Sequence, residues 1–362
     1  MNEGIVIKAR NSIYEVRCKE ELIRCVLRPK IKLEDERMRE ETKEMRMADL
    51  VSVGDRVIIS SEDGATGYIE EILPRENQFG RTRIGKLPQV IAANLDILLI
   101  VFAARNPALK LRMLDRFLVT SEAAGMEPVI CINKMDLVNP EGVKSQMKLY
   151  ESIGYPVIYA SAVTGEGIEE LRLTMRDKIS AFAGPSGVGK STLLNAIQPG
   201  LKLRIGDVSE RTHKGQHTTS EVELLSLDFG GFVADTPGIR ALGLLEVGIQ
   251  YLDSYFPEMR EYLPLCKYPT CSHAHEPDCA VKTALGSGKI NAKRYESYLR
   301  MRGAKDGRYE RRTKGTKRAK LENKGDGIDI TNDTTGWTNE RANRKKRQDK
   351  SRRHRVLLES LK

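Results

Sequence analysis

Two short motifs stand in an order that few folds allow. GPSGVGKST, Gly184–Thr192, follows the apolar run ISAFA and precedes the helical STLLNAIQ. Strand, loop, helix is the context in which G-x4-G-K-S turns backbone N–H groups inward around phosphate oxygens. The helix N-terminus adds partial positive charge there. NKMD, Asn133–Asp136, closes another apolar run, PVICI, but lies upstream of that loop. In the usual nucleotide-binding order the phosphate loop comes first and the base-reading loop later. A chain that uses both as one site must place them together from a rotated sequence.

Each motif has a chemical reason. Across Gly184, Pro185, Ser186, Gly187, Val188, Gly189, Lys190, Ser191 and Thr192 the glycines free the backbone to approach phosphate. Lys190 is placed to reach the β- and γ-phosphates, and the Ser191 hydroxyl to ligate Mg²⁺. In the stretch Asn133, Lys134, Met135, Asp136, the Asp136 carboxylate can accept from guanine's ring N–H and exocyclic amine. Adenine has no such donor pair, so the acid would be left unpaired against it. Lys134 can lie along the base, and Asn133 can pin loops together. Ser161-Ala162, after PVIYA, suits a backbone contact to the guanine oxygen. DTPG, Asp235–Gly238, ends GFVA; Asp235 would hold Mg²⁺ through water and the Gly238 N–H would sense the γ-phosphate. Thr218 or Thr219 would close over Mg²⁺ as the first switch. The phosphate loop, NKMD, Ser161-Ala162 and DTPG all fall at strand ends, and with the first switch the order is the usual cyclic order cut between the third and fourth strands. Strands pair in space, so a sheet tolerates such a cut if the old ends are joined. LRLTMRDKISAF is the segment that joins them.

The 362 residues suggest two to three domains. Residues 4–80 read as five short strands, GIVIKA, SIYEVRC, LIRCVLRPKI, DRVIIS and TGYIEEIL, with turn signals between them. They fit a small barrel of the kind that often binds oligonucleotides. A charged segment, Lys32–Leu50, interrupts them as a helix or an insertion, and Pro74–Gln89 reads as a linker. From Asn94, buried strands alternate with helical stretches such as LRMLDRFLVTSEAAG, the pattern of a mostly parallel sheet covered on both faces. Ligands of such sheets sit at the carboxyl ends of the strands.

CKYPTCSHAHEPDC gives Cys266-x4-Cys271-x-His273-x5-Cys279. Three thiolates and an imidazole form a closed tetrahedral set for one structural Zn²⁺, with His275 a rival nitrogen. Cys18, Cys25 and Cys131 lie in strand patterns and read as core residues. GKINAKRYESYLRMR reads as a basic helix, docked on RNA or simply solvated. The net charge of +10 is uneven: residues 301–362 hold 20 Lys+Arg against 9 Asp+Glu, leaving 40 against 41 before them. Dense charge and low hydrophobicity make that tail an expected disordered arm for a polyanion. No apolar run approaches the ~18 residues of a membrane span. The N-terminus lacks a basic region followed by an apolar segment, so a cytoplasmic chain without membrane contact is expected.

The permuted motif order and the zinc spacing resemble the ribosome-small-subunit-dependent, circularly permuted GTPases of the RsgA type, over roughly residues 1–300. The resemblance implies an α/β P-loop GTPase domain with an N-terminal OB-type barrel and a small C-terminal zinc-binding helical domain. The expected divisions are an RNA-binding barrel at 1–80, the permuted GTPase domain at 81–245, the zinc domain at 246–302 and a basic tail at 303–362. It also implies GTP as substrate, GDP as product, Mg²⁺ with the nucleotide, the small subunit and its rRNA as partners, a late role in maturing that subunit, and a monomer. Among nitrogen ligands it favours His273. The residue after DTPG is Ile239, which cannot orient a water, so slow intrinsic hydrolysis is expected. His217, beside the switch threonines, is the candidate water-positioning residue, and the resemblance points the same way. Two other classes stay open on the residues alone: a P-loop ATPase, and an rRNA-binding scaffold in which nucleotide is a latch.

Overall fold

The structure is a computed structural model that describes residues 1–29, 31, 50–61, 65–81, 89–201, 222–235 and 248–305. The charged segment after Ile31, the switch residues His217, Thr218 and Thr219, and Gly238 with Ile239 lie outside the described residues. Met1–Arg308 forms one compact unit; a second unit, Tyr309–Lys362, also lies outside them.

The five expected N-terminal strands are all present: β1 (Asn2–Arg10), β2 (Ile13–Cys18), β3 (Glu21–Leu27), β4 (Arg56–Ser61) and β5 (Thr66–Ile72). They pair in the order β1-β2-β3-β5-β4, and β4 returns to β1, which closes the barrel. Alternation explains the closure. Val6, Val16, Ile23, Cys25, Val57, Ile59 and Ile69 point inward and pack on one another, while the residues between them face outward. Cys18 and Cys25 are buried in this core, as expected.

Of the stretch read as a linker, residues 82–88 lie outside the described residues, and the parts that flank them are strands. β6 (Gln78–Arg81) and β7 (Gln89–Ala93) pair antiparallel as a two-stranded ribbon. Phe79, within that stretch, and Ala92, just beyond it, are buried against the larger core, so the Gly- and Arg-rich composition disguised an apolar anchor.

The strands β8 (Ile97–Ala103), β9 (Glu127–Asn133), β10 (Val157–Tyr159), β11 (Ile179–Ala183), β12 (Glu223–Ser226) and β13 (Phe232–Asp235) form the second part of the sheet. Its order is β10-β9-β8-β11-β13-β12, parallel except for β12 at the edge. Every residue of β8 and β11 is buried, the mark of strands covered on both faces. The covering helices are α1 (Leu111–Ala123), α2 (Pro140–Ile153), α3 (Ile168–Met175) and α4 (Lys190–Ile197). α2 begins at Asn139, whose side chain accepts from Glu141 N–H, and ends at Gly154 with φ 103°. α3 ends at Met175 and β11 starts at Ile179, so the join between the old chain ends is only a tight turn. Cys131 sits at the sheet centre, where burial pushes its thiol up to about 12, as a core residue should behave.

β12 also pairs with β1 of the barrel, antiparallel at Lys8 and Glu223. Lys8 Nζ and Glu223 Oε2 lie 3.2 Å apart. Barrel and nucleotide-type sheet therefore share one continuous hydrogen-bonded surface.

The C-terminal module contains α5 (Pro257–Arg260), α6 (Ala280–Gly286) and α7 (Ala292–Lys305). Leu252, Phe256, Met259, Val281, Ile290 and Tyr298 form its core, and Val119 of α1 reaches into it. Under that contact Arg294 is fully buried. Its Nη1 donates to Asp115 Oδ1 at 2.7 Å and its Nε to Glu258 Oε1 at 2.7 Å. Tyr150 O–H and the Ser297 hydroxyl also donate to Asp115. Burial alone would lower the Arg294 pKa; the Glu258 and Asp115 carboxylates outweigh it, and the net shift is upward.

Candidate functional site

β9, β8 and β11 are adjacent and parallel, so the loops after β9 and β11 open on the same edge, roughly 10 Å apart at ~4.8 Å per strand. The loop after β11 is Gly184–Gly189. Gly184 has φ 133°, and a Cβ there would stand 2.0 Å from the Val101 carbonyl oxygen, so no other residue fits. Gly189 has φ 89°, and its Cβ would meet Asn133 Nδ2 at 2.6 Å. That close approach is the junction of the two motifs.

Asn133 is buried and works in both directions. Its Nδ2 donates to Val188 O at 2.9 Å, and its Oδ1 accepts from Ala162 N–H at 3.3 Å. Lys134 adopts a left-handed backbone with φ 64° and sends Nζ to Gly187 O at 2.7 Å and Asn106 O at 2.5 Å. Met135 is buried beneath the loop. Ser161 O–H donates to Asp136 Oδ1 at 2.6 Å, which fixes the carboxylate while leaving its other oxygen for a second donor pair. Lys190 Nζ bends over the phosphate-type loop and donates to Gly184 O at 2.8 Å and Pro185 O at 2.7 Å. Ser191 and Thr192 follow in the first turn of α4. Asp235, at the end of β13, is nearly buried on the same edge. The two motifs found in reversed order thus line one site, tied by side chains that cross from one loop to the other.

The cysteine cluster also assembles. The ligand atoms of Cys266, Cys271, His273 and Cys279 all lie within 4.8 Å of one another and could hold a metal ion. His273 Nδ1 is 3.4 Å from Cys279 Sγ and 3.6 Å from Cys266 Sγ, and those two sulfurs are 3.9 Å apart. A tetrahedron with Zn–S near ~2.3 Å and Zn–N near ~2.0 Å needs edges of roughly 3.5–3.8 Å, so the set fits. His273 Nε2 is 3.0 Å from Asp253 Oδ2, an outer carboxylate that leaves Nδ1 facing the sulfurs. His275, the rival nitrogen, is exposed and outside the cluster.

Sequence reading missed Asn106, Asp253 and the Asp115–Arg294–Glu258 group. Asn106 contributes a backbone carbonyl, which no side-chain pattern announces. The others are paired across long sequence distances.

Phosphate-type loop, base-reading loop and the acid at the end of β13 define a P-loop GTPase whose strands are circularly permuted. A family model described as RsgA GTPase matches residues 72–245. A protein of Caldanaerobacter subterraneus subsp. tengcongensis named small ribosomal subunit biogenesis GTPase RsgA is 46% identical over 247 residues, 68% of this chain and 81% of that one. One of the same name from Gemmatimonas aurantiaca is 41% identical over 310 residues, 84% of this chain and 98% of that one. The crystal structure of YjeQ from Thermotoga maritima superposes with TM-score 0.68 at 36% identity, covering 83% of this chain and 97% of that one. YloQ, described as a circularly permuted GTPase, gives 0.65 at 33% identity, over 85% and 96%. The chain belongs to the RsgA GTPase family and is a GTP hydrolase.

Proposed function

We propose that this GTPase binds the small ribosomal subunit late in its maturation, hydrolyses GTP slowly alone and faster on the subunit, and leaves in the GDP state. Relatives named for small-subunit biogenesis, matched over 81% and 98% of their own length, support the partner. The observation that carries the nucleotide reading is the crossing of Asn133 and Lys134 to Val188 and Gly187. Asp136 reads the base beside Ser161 and Ala162, and Lys190 neutralises the β- and γ-phosphates. Ser191, Asp235 and Thr218 or Thr219 would hold Mg²⁺, which when bound neutralises charge developing on the phosphates. Gly238 N–H senses the γ-phosphate. His217 positions the attacking water when the chain is on the subunit. Cys266, Cys271, His273 and Cys279 would hold a structural Zn²⁺ and keep the C-terminal module folded. The barrel, 1–80, and the basic tail, 303–362, engage rRNA, and the GTPase domain spans 81–245 and the zinc domain 246–302. The protein works as a monomer in the cytoplasm, and among the described residues no helix is long and apolar enough to cross a membrane.

Co-sedimentation with small and large subunits, in GDP and in a non-hydrolysable GTP analogue, tests this reading. Small subunits alone should retain the chain, and only with the analogue; equal retention by both subunits would contradict it. Removing Gly303–Lys362 should flatten the salt dependence of that binding, and an unaltered slope would free the tail of this role. His217→Ala should abolish subunit-stimulated turnover and retain GTP affinity, whereas undiminished stimulation would assign the water to another residue. A second reading, in which GTP is mainly a conformational latch, is favoured by Ile239 where a water-orienting side chain would be useful. Turnover that small subunits do not raise would select it.

A further inference from the structure

A cleft of about 690 Å³ opens where α1 of the GTPase domain meets α7 of the C-terminal module. Lys110, Arg112 and Arg116 line one wall and Lys293 stands on the other. All four are exposed. Among the described residues Lys110, Arg116 and Lys293 have no ion-pair partner, and Arg112 has only a loose one, Glu296 at 3.8 Å. Glu296 is itself engaged by Arg300. The other acid of the cleft, Asp115, is buried and already bonded to Arg294, Tyr150 and Ser297. The cleft therefore presents cations without a free carboxylate to offset them.

Those cations lie on elements that cannot drift apart. The Asp115–Arg294–Glu258 group lies directly beneath them and joins both walls. Four like charges gathered on a rigid frame repel one another, a cost of folding that a polyanion would relieve. Met113 and Leu149 add apolar surface to the lining, on which a sugar or base edge could rest. The volume is that of a nucleotide-sized group. The cleft is separate from the nucleotide site at the strand ends: its lining contains none of the residues of the phosphate-type or base-reading loops.

We propose that this interdomain cleft grips the phosphodiester backbone of RNA, with Lys110, Arg116 and Lys293 as the phosphate contacts. The proposal rests on the small-subunit reading above for its biological partner, but its chemistry does not need that reading. Lysine and arginine on phosphates hold position and carry no sequence information, so the cleft fixes orientation on RNA and does not choose its sequence. Straddling two modules, it would lock the zinc module and the GTPase domain onto one segment of backbone.

The test uses the full chain loaded with a GTP analogue. Its affinity for a labelled RNA hairpin is measured over a salt series, for the natural protein and for the triple variant Lys110→Gln, Arg116→Gln, Lys293→Gln. Loss of three phosphate contacts should shrink the slope of log K against log salt by about two to three, and weaken binding about tenfold or more at moderate salt. The charge-preserving variant Lys110→Arg, Lys293→Arg should behave as the natural protein. An unchanged slope in the triple variant would overturn the proposal, whether or not the chain sediments with ribosomal subunits. Failure to sediment with subunits would sink the subunit reading and leave the hairpin result to decide the cleft. Binding of inorganic phosphate at constant ionic strength by the natural protein and not by the triple variant, with hairpin affinity the same in both, would also overturn it, by making the cleft a site for a small free anion. GTP turnover without subunits should be the same in all three proteins and shows that each is folded.

Discussion

Where the base-reading loop meets the phosphate-type loop, an amide and an ammonium reach for backbone carbonyls. Where α1 meets the C-terminal module, a buried guanidinium is held by two carboxylates. The first junction joins parts that must admit and release a charged ligand, and its bonds are made to main chain that stays in place. The second joins parts that must not separate, and it is sealed from water. Removing one partner from it strands a charge in the interior. The contrast teaches that the nucleotide site is built for function at modest structural risk, whereas the module interface concentrates that risk in a few side chains.

The largest effect should come from the metal cluster. Cys279→Ser should abolish stoichiometric metal content by elemental analysis and melt the module, because the binding energy of a structural metal is folding energy. Retained metal would mean that His275 or another donor had been recruited. Next in size, Arg294→Ala should cost about 3–5 kcal/mol by leaving Asp115 and Glu258 uncompensated, read as a fall in denaturation midpoint. Replacing Asp115, Glu258 and Arg294 together by apolar residues of similar size should cost much less. If the single and triple variants lose the same stability, the interface works by packing and the contrast drawn above fails. Lys190→Ala should sharpen the other side: GTP turnover drops about 100- to 1000-fold with little change in melting. A large loss of stability instead would make Lys190 a structural tie to Gly184 and Pro185.

How much of this could be read in the sequence follows the same division. The nucleotide motifs were legible because Asn133, Asp136, Ser161 and Gly184 sit at or just past a strand end and Lys190 opens the helix that follows, where local pattern and chemistry coincide. The barrel strands were legible through alternation, and Cys266, Cys271, His273 and Cys279 through spacing. Arg294 was not, since in a basic helical stretch one arginine looks like its solvated neighbours. Only the fold reveals that it faces Asp115. The ribbon of β6 and β7 was hidden by glycine and arginine, residues that usually mark loops. The choice between His273 and His275 rested on resemblance, and the carboxylate of Asp253 supplies the physical reason that spacing lacked.

The reversed motif order is reconciled with function only if Asp136 reads the base of the nucleotide whose phosphates Lys190 holds. Asp136→Asn offers the most direct measurement. Xanthine carries a carbonyl where guanine carries the exocyclic amine, so an amide at position 136 donates where the carboxylate accepted. Competition binding should show GTP affinity lowered about 100-fold or more and XTP now preferred, with hydrolysis of XTP still abolished by Lys190→Ala. A variant that still prefers GTP over XTP would place the base elsewhere and contradict the account.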